Sequence, residues 1–87
     1  MKTELVPFPE GVDVRIEIRG GAIQLRADVP LMVAKNWTEE AARQGLSVRD
    51  ALIQAIFDLD RSGAPERIEE LAEALATGAE RALAAVL

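Results

Sequence analysis

In residues 12 to 18, and again in residues 23 to 29, every second residue is apolar. Alternation with a period of two predicts a strand that buries one face. The pair Gly20-Gly21 between the two runs is a signal for a two-residue hairpin turn. The sequence therefore predicts an antiparallel β-hairpin. Counting outward from the turn gives four apolar pairs on one face: Ile18 with Ile23, Ile16 with Leu25, Val14 with Ala27, and Val12 with Val29.

A first helix is predicted to begin near Pro30 and to end at Gly45. Proline suits the first turn of a helix, and Asp28 lies near the expected cap. Glycine commonly ends a helix because it tolerates positive φ. Asn36 and Glu40 fall beside the apolar stripe, and the phrase that starts at Asn36 is an alternative helix start. The stripe itself, at intervals of four, consists of Val33, Trp37 and Ala41.

A second helix follows the capping-box phrase Ser47-Val48-Arg49-Asp50. It is apolar on more than one side, because Ile53 and Phe57 lie away from the main stripe. So much apolar surface on one short helix predicts a dimer. The alternative is an α+β monomer in which a third helix covers the second. In the dimer, the core is formed by Leu52, Ile53, Ile56 and Phe57.

A third helix is predicted from about Glu66 to the end of the chain, after a joint at residues 61 to 65. We expect one domain overall, with a hairpin and two-helix dimerisation module in residues 1 to 62 and a C-terminal helix in residues 63 to 87. The sequence leaves three alternatives for this helix. It could be an arm that binds a partner protein, a coil that forms a tetramer, or a helix that folds back on the second helix. Its apolar stripe, which Gly78 interrupts, consists of Ile68, Leu71, Leu75, Ala79, either Ala82 or Leu83, and Val86.

The phrases Ile23-Gln24-Leu25-Arg26 and Gly45-Leu46-Ser47-Val48, with Pro30 fifteen residues before Gly45, resemble a known family. They are similar to the Arc and Mnt type of phage repressor within the ribbon-helix-helix superfamily, over about residues 22 to 60. The resemblance implies a homodimer whose paired strands enter the major groove of DNA as an antiparallel ribbon, with the second helices as the dimer core.

The same resemblance assigns two sets of DNA-binding residues. The outward side chains of the strand, Ala22, Gln24 and Arg26, would read bases. The amides of Ser47 and Val48 at the start of the second helix would hold a phosphate, with Arg49 adding charge. Amide and guanidinium groups suit adenine and guanine edges, and a helix N-terminus attracts phosphate.

Two observations, the extra strand and the acidic net charge of −5, favour a different function for the same dimer. The strand before Gly20 would give the dimer four strands, a sheet too wide to enter a major groove as a simple ribbon does. The hairpin face would then bind a partner protein.

A helix-turn-helix over residues 39 to 56 is a competing motif with suitable spacing. It is disfavoured because its core positions would hold Glu40, Gln44 and Gln54.

Composition narrows the classes of function. The chain has 87 residues, a net charge of −5, and neither cysteine nor histidine. Residues 12 to 49 hold six basic and five acidic side chains, whereas residues 50 to 87 hold three basic and eight acidic ones. No spacing pairs a nucleophile with a base, so we expect no catalytic residues, no metal and no cofactor. No signal peptide or membrane segment is visible, and we expect a cytoplasmic protein.

The sequence thus predicts an α+β protein with one of two functions. The first is a dimeric DNA-binding transcriptional regulator, a repressor or the antitoxin of a toxin-antitoxin pair. The second is a small acidic protein, such as a phage-encoded one, that binds or inhibits another protein without binding DNA. In either case the 66 to 87 helix or the hairpin face is available to a partner protein.

Overall fold

The computed structural model describes residues 5 to 86 of the chain. In this part an antiparallel pair of strands is followed by helices, and this α+β layout is the one that the sequence predicts. None of the helices in this range is long and apolar enough to cross a lipid bilayer. The elements, in chain order, are β1 (Asp13–Arg19), β2 (Ala22–Asp28), α1 (Leu31–Gln44), α2 (Val48–Leu59) and α3 (Pro65–Ala84).

The two strands form the hairpin that the glycine pair predicts. Gly20 and Gly21 both have positive φ, at 55° and 82°, as a two-residue turn of type I′ requires. The fourth predicted pair, Val12 with Val29, lies just beyond the paired residues. The register confirms the other three apolar pairs: Ile18 with Ile23, Ile16 with Leu25, and Val14 with Ala27.

Only the base of the hairpin joins the core. Ala27 and Val29 are buried, but Ile16, Ile18 and Ile23 are 70%, 75% and 69% exposed. The expectation that the whole apolar face enters a core is therefore wrong for the tip. The helices pack mainly against β2 and do not extend over the far end of the hairpin, so the apolar side chains there stay uncovered.

Helix α1 is one uninterrupted helix. It follows Pro30 and ends at Gly45, which has a left-handed φ of 70°. The alternative start at Asn36 is wrong, because Asn36 lies in the middle of the helix. Asp28 does not cap α1 either, since its carboxylate accepts a hydrogen bond from Arg15 at 2.8 Å across the hairpin.

The buried face of α1 includes one polar residue. Trp37 is fully buried, and its Nε1 donates to the carbonyl oxygen of Val6 at 2.8 Å, which holds the preceding segment against the helix. Glu40, expected beside the apolar stripe, is only 4% exposed. One of its carboxylate oxygens pairs with Arg43, and the other, Oε2, has no hydrogen-bond partner in the described chain.

The predicted dimer core on α2 is divided in the structure. Leu52 and Ile56 are buried inside a single chain, because α3 packs on α2. Ile53 is half-buried, and Phe57 is 41% exposed. Much of the apolar surface from which the dimer was predicted is therefore covered by the chain's own third helix, as in the monomer alternative.

Helix α3 is the centre of the fold. It packs against β2, α1 and α2, and it buries Ile68, Ala72, Leu75 and Ala79. Of the three positions that the sequence leaves open for this helix, folding back is the one observed. The helix ends at Ala84, and residue 87 of the predicted span lies outside the described residues.

Gly78 is the point of closest approach between α3 and the hairpin. A Cβ atom at this position would lie 2.5 Å from the carbonyl oxygen of Ala27 and 3.1 Å from Cγ2 of Val29. Arg81, one turn later, donates to the same carbonyl oxygen at 3.1 Å. The glycine that interrupts the apolar stripe is thus the residue that lets α3 contact the backbone of β2.

Candidate functional site

The base-reading residues predicted on β2 face another part of the protein. Gln24 and Arg26 line an open groove between the hairpin and α3, and the α3 side of that groove carries Glu70 and Glu73. Ala22 lies beside the turn and is exposed. Two of the three predicted base contacts therefore share this open groove with acidic side chains and with Arg81 of α3, and Gln24 itself is exposed.

The polar face of the hairpin also balances its own charges. Arg26 Nε lies 3.7 Å from a carboxylate oxygen of Asp28 and 3.9 Å from one of Glu17. Arg15 bonds to Asp28 at 2.8 Å, and Arg19 Nε lies 3.5 Å from Glu17. Exposed ion pairs such as these add little stability. Their consequence is electrostatic, because the arginines of this face are matched by carboxylates and give it no excess positive charge.

The predicted phosphate site faces α3 as well. Ser47, Val48 and Arg49 line a second groove, and the α3 side of it carries Glu73 and Glu80. Arg49 Nε donates to Glu73 at 2.7 Å. The structure thus brings the predicted base-reading and phosphate-binding residues close to one helix, with Glu73 between them.

The start of α2 is capped as predicted. The Ser47 hydroxyl accepts a hydrogen bond from the backbone amide of Asp50 at 3.1 Å, so one amide of this helix end is already satisfied. The carboxylate of Asp50 lies at the same end and accepts from Arg49 at 3.3 Å. A phosphate approaching these amides would meet a carboxylate, which opposes the attraction of the helix dipole.

The sequence predicts that the hairpin face is available to a partner protein, but it does not predict that the apolar residues at the tip of the hairpin are uncovered. Ile16, Ile18 and Ile23 lie on one face of a two-stranded sheet, and each exposes more than two thirds of its surface. Contiguous apolar surface of this kind marks interaction sites on small proteins. The signal was present in the alternation of β1, but a strand pattern shows which residues share a face and not what covers them.

No family model, curated protein or solved structure matches the chain. Within residues 5 to 86, no cluster of three or more acidic side chains is placed to hold a metal ion. The candidate site therefore rests on the geometry of the hairpin and of α3.

Proposed function

We propose that this protein is a small non-catalytic binding protein of the cytoplasm, whose hairpin binds another polypeptide chain. The observation that carries the proposal is the apolar tip of the hairpin. Three isoleucines stand clear of the core there, and burying them against a partner would recover the hydrophobic free energy that the isolated chain leaves unused. This is the second of the two functions that the sequence leaves open, an acidic protein that binds or inhibits another protein.

Electrostatics favours this function over DNA binding. Affinity for the phosphate backbone comes from unmatched Lys and Arg side chains. Here Arg26 and Arg49, the two charged residues predicted to contact DNA, each lie close to carboxylates. The acids of α3 also line both grooves in which the predicted DNA contacts lie. A net charge of −5 adds a repulsion that acts on any nucleic acid.

Site-specific photo-crosslinking in cells tests the polypeptide part of the proposal. A photoreactive amino acid at position 18 should yield an adduct with a polypeptide. Ile16→Lys, which places a charge on the same apolar face, should abolish that adduct. Met32→Lys is the matched control, because Met32 is an equally exposed apolar residue, at 76%, but lies on α1; it should leave the adduct intact.

Fluorescence anisotropy with duplex DNA, including the segment upstream of the protein's own gene, tests the competing function. We expect no salt-sensitive binding even at low ionic strength, where phosphate contacts are strongest. Salt-sensitive binding that Arg26→Ala weakens, together with no polypeptide adduct from position 18, would overturn the proposal. The DNA-binding regulator would then be the better description.

A further inference from the structure

Strand β1 is an uncovered edge of the sheet. Its main packing partner in the described chain is β2, and no helix packs extensively on it. The opposite edge of the hairpin differs, because α3 covers β2 at Ala27. An exposed edge strand of alternating apolar residues is a ready template for pairing with another strand.

The register shows which backbone groups this edge presents. In an antiparallel pair, hydrogen-bonded and non-hydrogen-bonded residue pairs alternate, and the pair that flanks a two-residue turn is hydrogen-bonded. Starting from Arg19 with Ala22, the outward amides and carbonyls on β1 therefore belong to Val14, Ile16 and Ile18. The same rule turns the carbonyl of Ala27 outward on β2, and that carbonyl indeed accepts from Arg81.

From this edge we infer that the polypeptide bound by the hairpin is a second copy of this chain, paired antiparallel through β1 with Ile16 opposite Ile16. This inference rests on the proposed function and specifies its partner. In this register Ile16 pairs with itself, and Val14 pairs with Ile18 of the second copy on either side. All of these residues present outward backbone groups, so the pairing would form about six backbone hydrogen bonds.

Charge complementarity selects this register. The strand reads Asp13-Val14-Arg15-Ile16-Glu17-Ile18-Arg19. Antiparallel pairing about Ile16 places Arg15 opposite Glu17 of the second copy, and Asp13 opposite Arg19. Opposite charges on directly facing residues stabilise a sheet, and like charges destabilise it.

The neighbouring registers fail this test. A pairing centred on Arg15 would place Arg15 against itself and Asp13 against Glu17. A pairing centred on Glu17 would place Glu17 against itself and Arg15 against Arg19. Registers centred nearer either end of the strand would overlap over fewer residues, because β1 spans only Asp13–Arg19.

The proposed pairing also continues the apolar face. Val14, Ile16 and Ile18 of both copies would lie side by side on one face of a four-stranded sheet, in which neighbouring apolar side chains shield one another from water. It differs from the ribbon that the family resemblance implies, in which the strand before the first helix pairs with its own copy. Here that strand is β2, which pairs with β1 on one edge and meets α3 on the other.

Charge-swap variants examined by sedimentation equilibrium test the pairing. Wild-type protein should form a dimer in the micromolar range. Arg15→Glu and Glu17→Arg should each weaken the dimer by at least about tenfold, because the two-fold symmetry introduces two like-charge pairs. An equimolar mixture of these two variants should restore a heterodimer, and the double variant R15E/E17R should restore the homodimer.

Two controls separate loss of pairing from loss of folding. Arg26→Glu reverses a charge on the same polar face but on β2, and it should leave the dimer intact. Ile16→Pro removes an outward amide of β1 and should give a monomer, whereas Ile23→Pro removes an outward amide at the opposite edge and should not. Circular dichroism should show a folded monomer for Ile16→Pro.

The outcomes distinguish this inference from the proposed function. Failure of the mixture and of the double variant to restore association would overturn the β1 register. A wild-type monomer that still gives an adduct with a different polypeptide from position 18 would overturn self-pairing and leave the proposed function standing. A wild-type monomer that gives no adduct would overturn both.

Discussion

The contact between α3 and β2 makes a sharp prediction for Gly78→Ala. The new Cβ would lie 2.5 Å from the carbonyl oxygen of Ala27. Backbone oxygens contact carbon at about 3.3 Å or more, so α3 would have to recede by roughly 0.8 Å. That movement would also strain the hydrogen bond from Arg81 to the same oxygen.

Two opposing effects set the magnitude. Alanine in place of glycine inside a helix stabilises it by about 1 kcal/mol. Overpacking of a well-packed interface costs about 1–3 kcal/mol, and the loss of the Arg81 hydrogen bond costs about 1 kcal/mol more. We therefore expect a net destabilisation of about 1–3 kcal/mol, which corresponds to a fall in Tm of roughly 5–20 °C for a domain of this size.

Thermal and urea unfolding followed by circular dichroism measures this effect. The matched control is Thr77→Ala, because Thr77 is the preceding residue of α3 and is exposed. It should leave stability unchanged or raise it by a few tenths of a kcal/mol, as helix propensity dictates. If Gly78→Ala instead raises stability by about 1 kcal/mol, α3 is not packed against β2 and behaves as a free helix.

Three further predictions follow from burial. Truncation of the chain after Asp60 should abolish cooperative unfolding by circular dichroism, because α3 supplies the centre of the core; a truncated chain that still melts cooperatively would contradict this. Leu52→Ala should cost about 2–5 kcal/mol of stability in urea unfolding, because Leu52 is fully buried. Phe57 is 41% exposed, so Phe57→Ala should cost less than half of the roughly 3–5 kcal/mol expected for a fully buried aromatic. Equal costs for the two variants would be inconsistent with the structure. Glu40→Leu should unfold at or above the wild-type temperature, since it removes a buried carboxylate with an unpartnered oxygen. Arg43→Ala should lose about 1–3 kcal/mol of stability, because it leaves that carboxylate without its ion-pair partner. A lower melting temperature for Glu40→Leu than for Arg43→Ala would refute this account of the buried carboxylate.

Local features of the fold were readable from the sequence. The hairpin register follows from the alternation of apolar residues around Gly20-Gly21. The C-terminal end of α1 follows from Gly45, and the start of α2 follows from Ser47. These signals act between residues a few positions apart, so the printed sequence contains both partners of each interaction.

The position of α3 was not readable in the same way. Its apolar stripe predicts a helix that needs a partner, but a stripe does not say which surface that partner is. Gly78 looks like an interruption of the stripe until Ala27 is placed beside it. Its contact joins residues on distant elements, and no local rule predicts it.

In the candidate site too, local features follow from the sequence and long-range contacts do not. The amide and guanidinium groups of β2 were correctly placed on one face, yet their neighbours were not predicted. Arg49 pairs with Glu73, 24 residues away, and Arg26 faces the acids of α3 across a groove. The Arg49–Glu73 pair and the nearby acids of α3 change the electrostatics of the residues that the resemblance assigns to DNA.

The most direct test of the hairpin as the association surface is amide hydrogen exchange of the wild-type protein at low and at high concentration. Protection of the outward amides of Ile16 and Ile18 should rise with concentration, while that of Ile23 at the opposite edge should not change. Free exchange of the outward β1 amides at every concentration, with new protection around Phe57 on α2 instead, would contradict the central claim and restore α2 as the dimer interface.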